Sequence, residues 1–331
     1  MLKTIFSRQN LLPLITALIW GSSFVAQSVG SETMRPFAFN AVRCVFTIAF
    51  LIPLSLISDS IKKKQAKKAG ENSDVFKTNW KNLLIGGTLC GVALTLAINL
   101  QQFGIGDSGA GKAGFITALY VVLVPVFGLV LKKHVPSRVW LSVVLAVAGL
   151  YLLCIKAGFT IEKSDILLLC CAVLFAVQIL IVDHYIETVD GIKLSCMQFA
   201  VVGVLSGICM FAFEGLPTME AVKASIVPLL YTGILSSGVA YTLQIIAQRN
   251  ANPTVLSLIL SLESVFATIF GAIILHEKMS GREYIGCILM FTAVIISQLP
   301  GKEEIRDKKK KLEEAADAEF LEDKKARIEN K

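Results

Sequence analysis

Long stretches of this chain carry no charge. No Asp, Glu, Lys or Arg occurs from Leu11 to Val29, from Leu83 to Phe103 or from Ala113 to Leu131. An apolar run of about 20 residues is long enough to cross a bilayer as a helix. Ten apolar runs lie near 11–30, 36–57, 83–103, 110–131, 139–155, 165–182, 192–213, 227–247, 254–275 and 283–299. The expectation is an all-α integral membrane protein with ten transmembrane helices. Only 17% of the 331 residues are charged, against about 25% in soluble domains. The basic start and apolar core of the N-terminus imitate a secretory signal. The run continues through Ser22-Ser23-Phe24-Val25-Ala26 without an Ala-x-Ala cleavage site, so the first helix is expected to stay in the protein.

With the N-terminus inside, 24 Lys and Arg fall in cytoplasmic segments and 7 in external ones, Arg43 being the last of the 32. Basic residues in short loops favour the cytoplasm, so a multi-pass protein of the cell membrane with both termini cytoplasmic is expected. Most of the margin comes from the Lys-rich loop 58–82 and the tail 301–331. The tail mixes 10 basic with 10 acidic residues, a pattern of solvated helix or disordered ends. Its Lys308-Lys309-Lys310-Lys311 run is diluted by carboxylates. Nothing points to nucleic acid, since no basic domain with interleaved aromatics is present.

The eight cysteines, Cys44, Cys90, Cys154, Cys170, Cys171, Cys196, Cys209 and Cys287, all lie in apolar runs without C-x-x-C spacing. They read as small packing residues, with no metal site, disulfide framework or cofactor implied. His134, His184 and His276 sit at helix ends and read as interfacial. The stretch GIGDSGAGKAGF (104–115) nearly spells a phosphate-cradling P-loop. Ala113 replaces the hydroxyl residue that would bind magnesium, and no strand precedes it. It is expected to be the short external turn between the third and fourth helices.

A shift of 143 residues places Ala97 on Ala240, Gln101 on Gln244, Leu119 on Leu262 and Phe127-Gly128 on Phe270-Gly271. For the earlier helices the offset is 155, placing Trp20 on Phe175, Ser23 on Gln178 and Arg43 on Gln198. The Lys-rich loop absorbs the difference. Two halves of five helices must enter the membrane in opposite senses. The expected fold is therefore two inverted five-helix repeats, an architecture from which secondary transporters obtain two states around one site.

Trp20-Gly21-Ser22-Ser23-Phe24, Arg43, Ser261-Leu262-Glu263-Ser264-Val265-Phe266-Ala267 and Leu275-His276-Glu277-Lys278 resemble the EamA-type drug/metabolite transporter superfamily over about residues 8–300. The resemblance implies a first repeat at 1–160, a second at 161–300 and small-metabolite transport, often efflux, through a cavity near the bilayer centre. The chain departs from the pattern at Leu131-Lys132-Lys133-His134-Val135, where an acidic helix end is common. It departs again at Ser264, where a proline is common and would affect a local kink in helix nine.

Polar side chains within a bundle tend to face its interior. Gly91, Thr95, Asn99 and Gln102 share one face of helix three, and Gly233, Ser237, Tyr241, Gln244 and Gln248 share one face of helix eight. The candidate substrate-binding residues are Trp20, Ser23, Gln27, Asn99, Gln101, Gln102, Thr117, Tyr120, Gln178, Tyr241, Gln244 and Glu263. For the small residues the alternative is close helix packing. Glu263 and Arg43 are the full charges well inside helices, roughly 14 and 11 Å from the nearest ends at 1.5 Å per residue. Buried ions must pair, neutralise or touch water. Glu263 is read as binding an amino group or a coupling proton or ion, and Arg43 as holding an anion. The structural alternative is that each caps a kinked backbone or pairs within the bundle. The expected function is a secondary transporter for a small-molecule substrate such as an amino acid. The alternative is a non-transporting membrane protein, either a membrane-embedded enzyme or a structural partner, but no catalytic set lies at matching depths. Oligomeric state is not legible.

Overall fold

In hydrocarbon each backbone polar group must find its partner within the protein, and a helix is the local way to do so. The computed structural model describes residues 8–69, 78–132, 135–154, 162–249, 251–274 and 279–299. Outside them lie His134, His276, Glu277, Lys278, part of the Lys-rich loop and the tail. The side chains of Arg8, Gln9, Ala69, Arg138, Cys154 and of 107–111 are likewise not described. All regular structure among the described residues is helical. The first half comprises α1 (Arg8–Ser31), α2 (Pro36–Ala69), α3 (Trp80–Ala118), α4 (Tyr120–Val130) and α5 (Ser137–Cys154). The second begins with α6 (Lys163–Tyr185) and α7 (Gly191–Cys209), the latter extended by a π-helical turn, Met210–Glu214, before the short α8 (Met219–Ala224). The eighth span joins α9 (Ile226–Leu230), a π-helical stretch Tyr231–Ala240 and α10 (Tyr241–Gln248). The ninth is α11 (Pro253–Leu260) with α12 (Glu263–Ile274), and the tenth is α13 (Gly281–Gln298). Among the described residues, eight segments are long and apolar enough to cross a membrane. The shorter α5 and α13 pack on each other and complete ten spans.

One expectation needs correction. The second helix does not end near residue 57 but continues to Ala69. Ile61-Lys62-Lys63-Lys64 therefore leave the bundle as helix, since lysine is a good helix former. The glycine-rich stretch keeps helical backbone, since α3 runs from Trp80 to Ala118, and it is still the turn between the third and fourth apolar segments. The helix is not straight. Gln101 Nε2 donates to Thr117 Oγ1 at 3.5 Å, whereas sixteen residues of straight helix would span about 24 Å. The chain reverses between Gly106 and Lys112, where its third and fourth apolar segments meet.

The packing is that of an inverted repeat. Helix α2 lies on α7 and α5 on α13; α1 lies on the eighth and ninth spans, as α6 lies on the third and fourth. Exchanging each span for the one five later maps this set onto itself. Single contacts repeat as well. Asn82 Nδ2 donates to Thr188 Oγ1 at 2.9 Å, and their counterparts Ser225 and Thr33 are hydrogen-bonded at the other end. Asp59 pairs with Lys193 at 3.0 Å; its counterpart Glu214 accepts from the Ala38 N–H at 2.8 Å.

Glycines set the closest crossings, where small residues let backbones approach. A Cβ on Gly91 would lie 2.9 Å from Gln198 O, and one on Gly233 would lie 2.8 Å from Arg43 O. Gly91 to Gln101 is ten residues, while Gly233 to Gln244 is eleven. The wide π-helical turns of the eighth span accommodate that extra residue. Their carbonyls also accept from neighbouring helices: Ala240 O from Thr16 Oγ1 at 3.2 Å, Gly233 O from Thr47 Oγ1 at 2.9 Å and Ser236 O from Trp20 Nε1 at 3.4 Å.

Candidate functional site

The fourth and ninth spans are both broken, and at matching places. Leu119 N–H bonds to Ile116 O at 3.2 Å, and Leu262 N–H to Ile259 O at 3.2 Å. These tight turns end α3 and α11. The next helices begin at Tyr120 and at Glu263. Tyr120 Oη donates to Glu263 Oε1 at 3.0 Å. The second carboxylate oxygen has no protein hydrogen bond among the described residues. At the first turn of α12 the carboxylate also lies where unpaired backbone N–H groups favour negative charge.

Around this pair lies a small cavity of about 30 Å³. Trp20, Ser23 and Gln27 reach it from α1, Arg43 from α2, Gln101 and Thr117 from α3, Tyr120 from α4, Tyr241 from α10 and Glu263 from α12. Trp20 and Tyr241 pack with ring centroids 4.6 Å apart. Ser23 Oγ and Gln27 Oε1 are buried on the wall without a hydrogen-bond partner among the described residues, the kind of group that a ligand or water ordinarily satisfies.

Arg43 is 2% exposed and has no carboxylate partner among the described residues. Its Nε and Nη2 donate to Ser237 Oγ at 3.2 and 2.8 Å, and Nη1 donates to Asn40 Oδ1 at 3.3 Å. Neutral groups thus hold a full cation at the cavity wall with donors to spare, because a guanidinium carries five.

Four sequence candidates stand behind the wall. Asn99 accepts from Asn40 Nδ2 at 3.0 Å and donates to Ser206 Oγ at 2.9 Å. It braces the residue that braces Arg43. Gln102 Nε2 donates to Gln27 O at 3.1 Å, joining α3 to α1. Gln178 and Gln244 hydrogen-bond to each other at 3.3 Å. A helical stripe is wider than the part of it that a cavity touches, and the rest of these stripes holds helices together. The sequence reading missed Phe24, Phe175 and Ser236 on the wall. Phe175 had a signal, since it is the repeat counterpart of Trp20. Phe24 had one as well, since it lies one helical turn after Trp20 in the same motif. His184 lies in the last turn of α6, and no cluster of three His, Cys, Asp or Glu converges among the described residues.

Known proteins resemble this chain in sequence and in fold. Residues 8–155 and 162–298 each match the EamA-like transporter family. An uncharacterized transporter of Archaeoglobus fulgidus is 33% identical over 286 residues, covering 86% of this chain and 84% of that one. The Bacillus subtilis protein named as uncharacterized transporter YoaV is 23% identical over 287 residues, covering 85% and 93%. A solved crystal structure superposes with a TM-score of 0.69 at 17% identity, covering 88% of this chain and 99% of that one. That likeness is one of fold.

Proposed function

The chain belongs to the EamA-like transporter family, and we propose that it exports small polar metabolites, amino acids or related compounds, by alternating access through the central cavity. It is a multi-pass membrane protein. The proposed setting is the plasma membrane with both termini cytoplasmic, which follows from the basic residues, and the proposed repeats are 1–160 and 161–300. The observation that carries the reading is one cavity lined by both Glu263 and Arg43, each with only neutral protein partners among the described residues. A cargo with an ammonium and a carboxylate supplies the missing partner to each. Trp20, Tyr120 and Tyr241 offer faces for the apolar part of such a cargo and for its cation. Without cargo, Glu263 is the site for a coupling proton. Ser23, Gln27, Gln101 and Thr117 would complete the shell. Asn99, Gln102, Gln178 and Gln244 act through it and do not touch cargo.

The test is a counterflow screen in liposomes against a metabolite library. Accelerated exchange of zwitterionic compounds by the wild type, lost in Glu263→Gln, is the expected result. Exchange only of uncharged compounds, at equal rates in both proteins, would remove this reading of the site.

A further inference from the structure

An inverted repeat makes the two ends of the bundle quasi-equivalent, so differences between matching residues carry information. Ser23, Arg43 and Gln101 line the cavity. Their counterparts Gln178, Gln198 and Gln244 are instead bonded to one another. Gln178 Nε2 donates to Gln198 Oε1 at 3.2 Å, and Gln244 Nε2 donates to Gln178 Oε1 at 3.3 Å and to Gln248 Oε1 at 3.2 Å. Gln248 Nε2 then donates to Ile179 O at 2.8 Å. These bonds stitch α6, α7 and α10 together, with all four glutamines 2% exposed or less.

Beside them, Arg249 Nη2 donates to Ile186 O at 2.8 Å and to Val189 O at 2.7 Å, tying the end of α10 to the loop between α6 and α7. The counterpart of Arg249 at the other end is Gly106, around whose Cβ position lies open space. The glutamine chain is also incompletely satisfied: Gln198 Nε2 and Gln244 Oε1 have no hydrogen-bond partner among the described residues. A static core gains little from a buried polar network in that condition. A contact that must open and close can be built from one.

We infer that the Gln178–Gln198–Gln244–Gln248 chain, with Arg249, is a closed gate between the cavity and the Arg249 end of the bundle. This rests on the alternating-access reading above. In the opposite state the halves exchange roles, so these bonds separate while Ser23, Arg43 and Gln101 draw together. The ion pair Lys112–Asp165, 2.8 Å long at the other end, joins the fourth and sixth spans and does not reproduce the Arg249 clamp.

The test uses the full chain in oriented vesicles, with its native cysteines replaced and one reporter, Ser236→Cys, on the cavity wall. A membrane-impermeant maleimide is applied from each face. Labelling is expected to be about tenfold faster from the Ser31 end of α1 than from the Arg249 end. Arg249→Ala and Gln198→Leu, each checked for folding, are expected to cut that ratio to about threefold or less, because each removes hydrogen bonds made in only one state. A ratio near one or reversed in the parent protein overturns the gate without needing any gate variant. So does a ratio unchanged in both folded variants. Counterflow is read in the same vesicles. Sided labelling without transport of any metabolite removes the transport reading and leaves the gate; transport with unsided labelling removes the gate alone.

Discussion

Tyr120 and Glu263 are repeat counterparts, 143 residues apart, and they touch: the phenol donates to the carboxylate at 3.0 Å. Counterpart positions of two inverted halves meet only on the pseudo-twofold axis that relates them. The axis therefore passes between the starts of two half-helices, each preceded by a break at a matching leucine, Leu119 or Leu262. Identical residues there would set like against like, and two carboxylates at this distance would repel in a medium of low dielectric. The sequence resolves the clash by divergence, one half supplying the donor and the other the acceptor.

Glu263→Gln keeps the shape and an acceptor for Tyr120 but removes the charge. Counterflow in proteoliposomes is expected to fall by about tenfold or more, the loss of one charge-assisted contact, and its pH dependence to flatten. Wild-type rate with the wild-type pH profile would remove Glu263 from both cargo binding and coupling.

Tyr120→Phe leaves Glu263 without its protein donor. A buried group that loses its partner costs about 1–3 kcal/mol, so the thermal midpoint should fall by several degrees. An unchanged midpoint would mean that the bond adds nothing to stability.

Arg43→Lys retains the charge and loses the fork that grips Ser237 Oγ and Asn40 Oδ1. A lysine presents a point charge where the site is built for a planar group. The apparent affinity for carboxylate-bearing cargo is expected to drop about tenfold, with smaller effects on neutral analogues. Equal losses for both classes would point to a purely structural Arg43.

Gly21→Ala is expected to be costly. Its Cβ would sit 2.5 Å from Phe266 Cβ and 2.6 Å from Glu263 O, prising α1 from α12 at an overpacking cost of about 1–3 kcal/mol. Gly106→Ala faces open space within helical backbone, and should be neutral or stabilising by up to about 1 kcal/mol. Thermal unfolding of the two variants side by side distinguishes them, and equal midpoints would contradict the packing described.

Asp190, outside the spans, gives a pH prediction. Burial raises its pKa, but the Lys62 ammonium and the N–H groups of Ile192 and Lys193 outweigh this and hold it below the ordinary 3.8. A depressed carboxylate stabilises the fold above its unfolded pKa and loses that contribution as pH falls through the folded value. Asp190→Asn keeps the helix cap yet lacks the charge. Its unfolding free energy should lie below that of the wild type at pH 7, by about 1 kcal/mol at most because the partly exposed Lys62 is screened. The gap should close as the medium is acidified below about pH 4, the ordinary aspartate range. A gap that widens on acidification would contradict the assignment.

The apolar runs are legible because a bilayer demands about 20 uncharged residues per crossing, and the repeat is legible because counterparts keep their spacing. Tertiary contacts decided how far each helix ran. Sequence spacing alone could not reveal that the glycine-rich reversal at 104–115 stays helical, or that α2 carries its lysines outward on the same helix. The polar stripes of α3 and α10 were visible too, but periodicity reports a face and not what the face meets. Asn99 and Gln102 face other helices, whereas Gln101 beside them reaches the cavity.

By itself the sequence pointed to a ten-span bundle in two inverted halves, because ten apolar runs and counterparts at matched spacing put an odd number of crossings in each half. It also marked Glu263 and Arg43 as costly enough in lipid to need a reason. Only the tertiary structure decided that Tyr120 meets Glu263, that Arg43 is held by neutral groups, and that Ser23 and Gln101 face a cavity while Gln178 and Gln244 face each other. Those outcomes depend on how five helices of one half are tilted against five of the other. A few ångströms of tilt change partners without changing any residue's helical register.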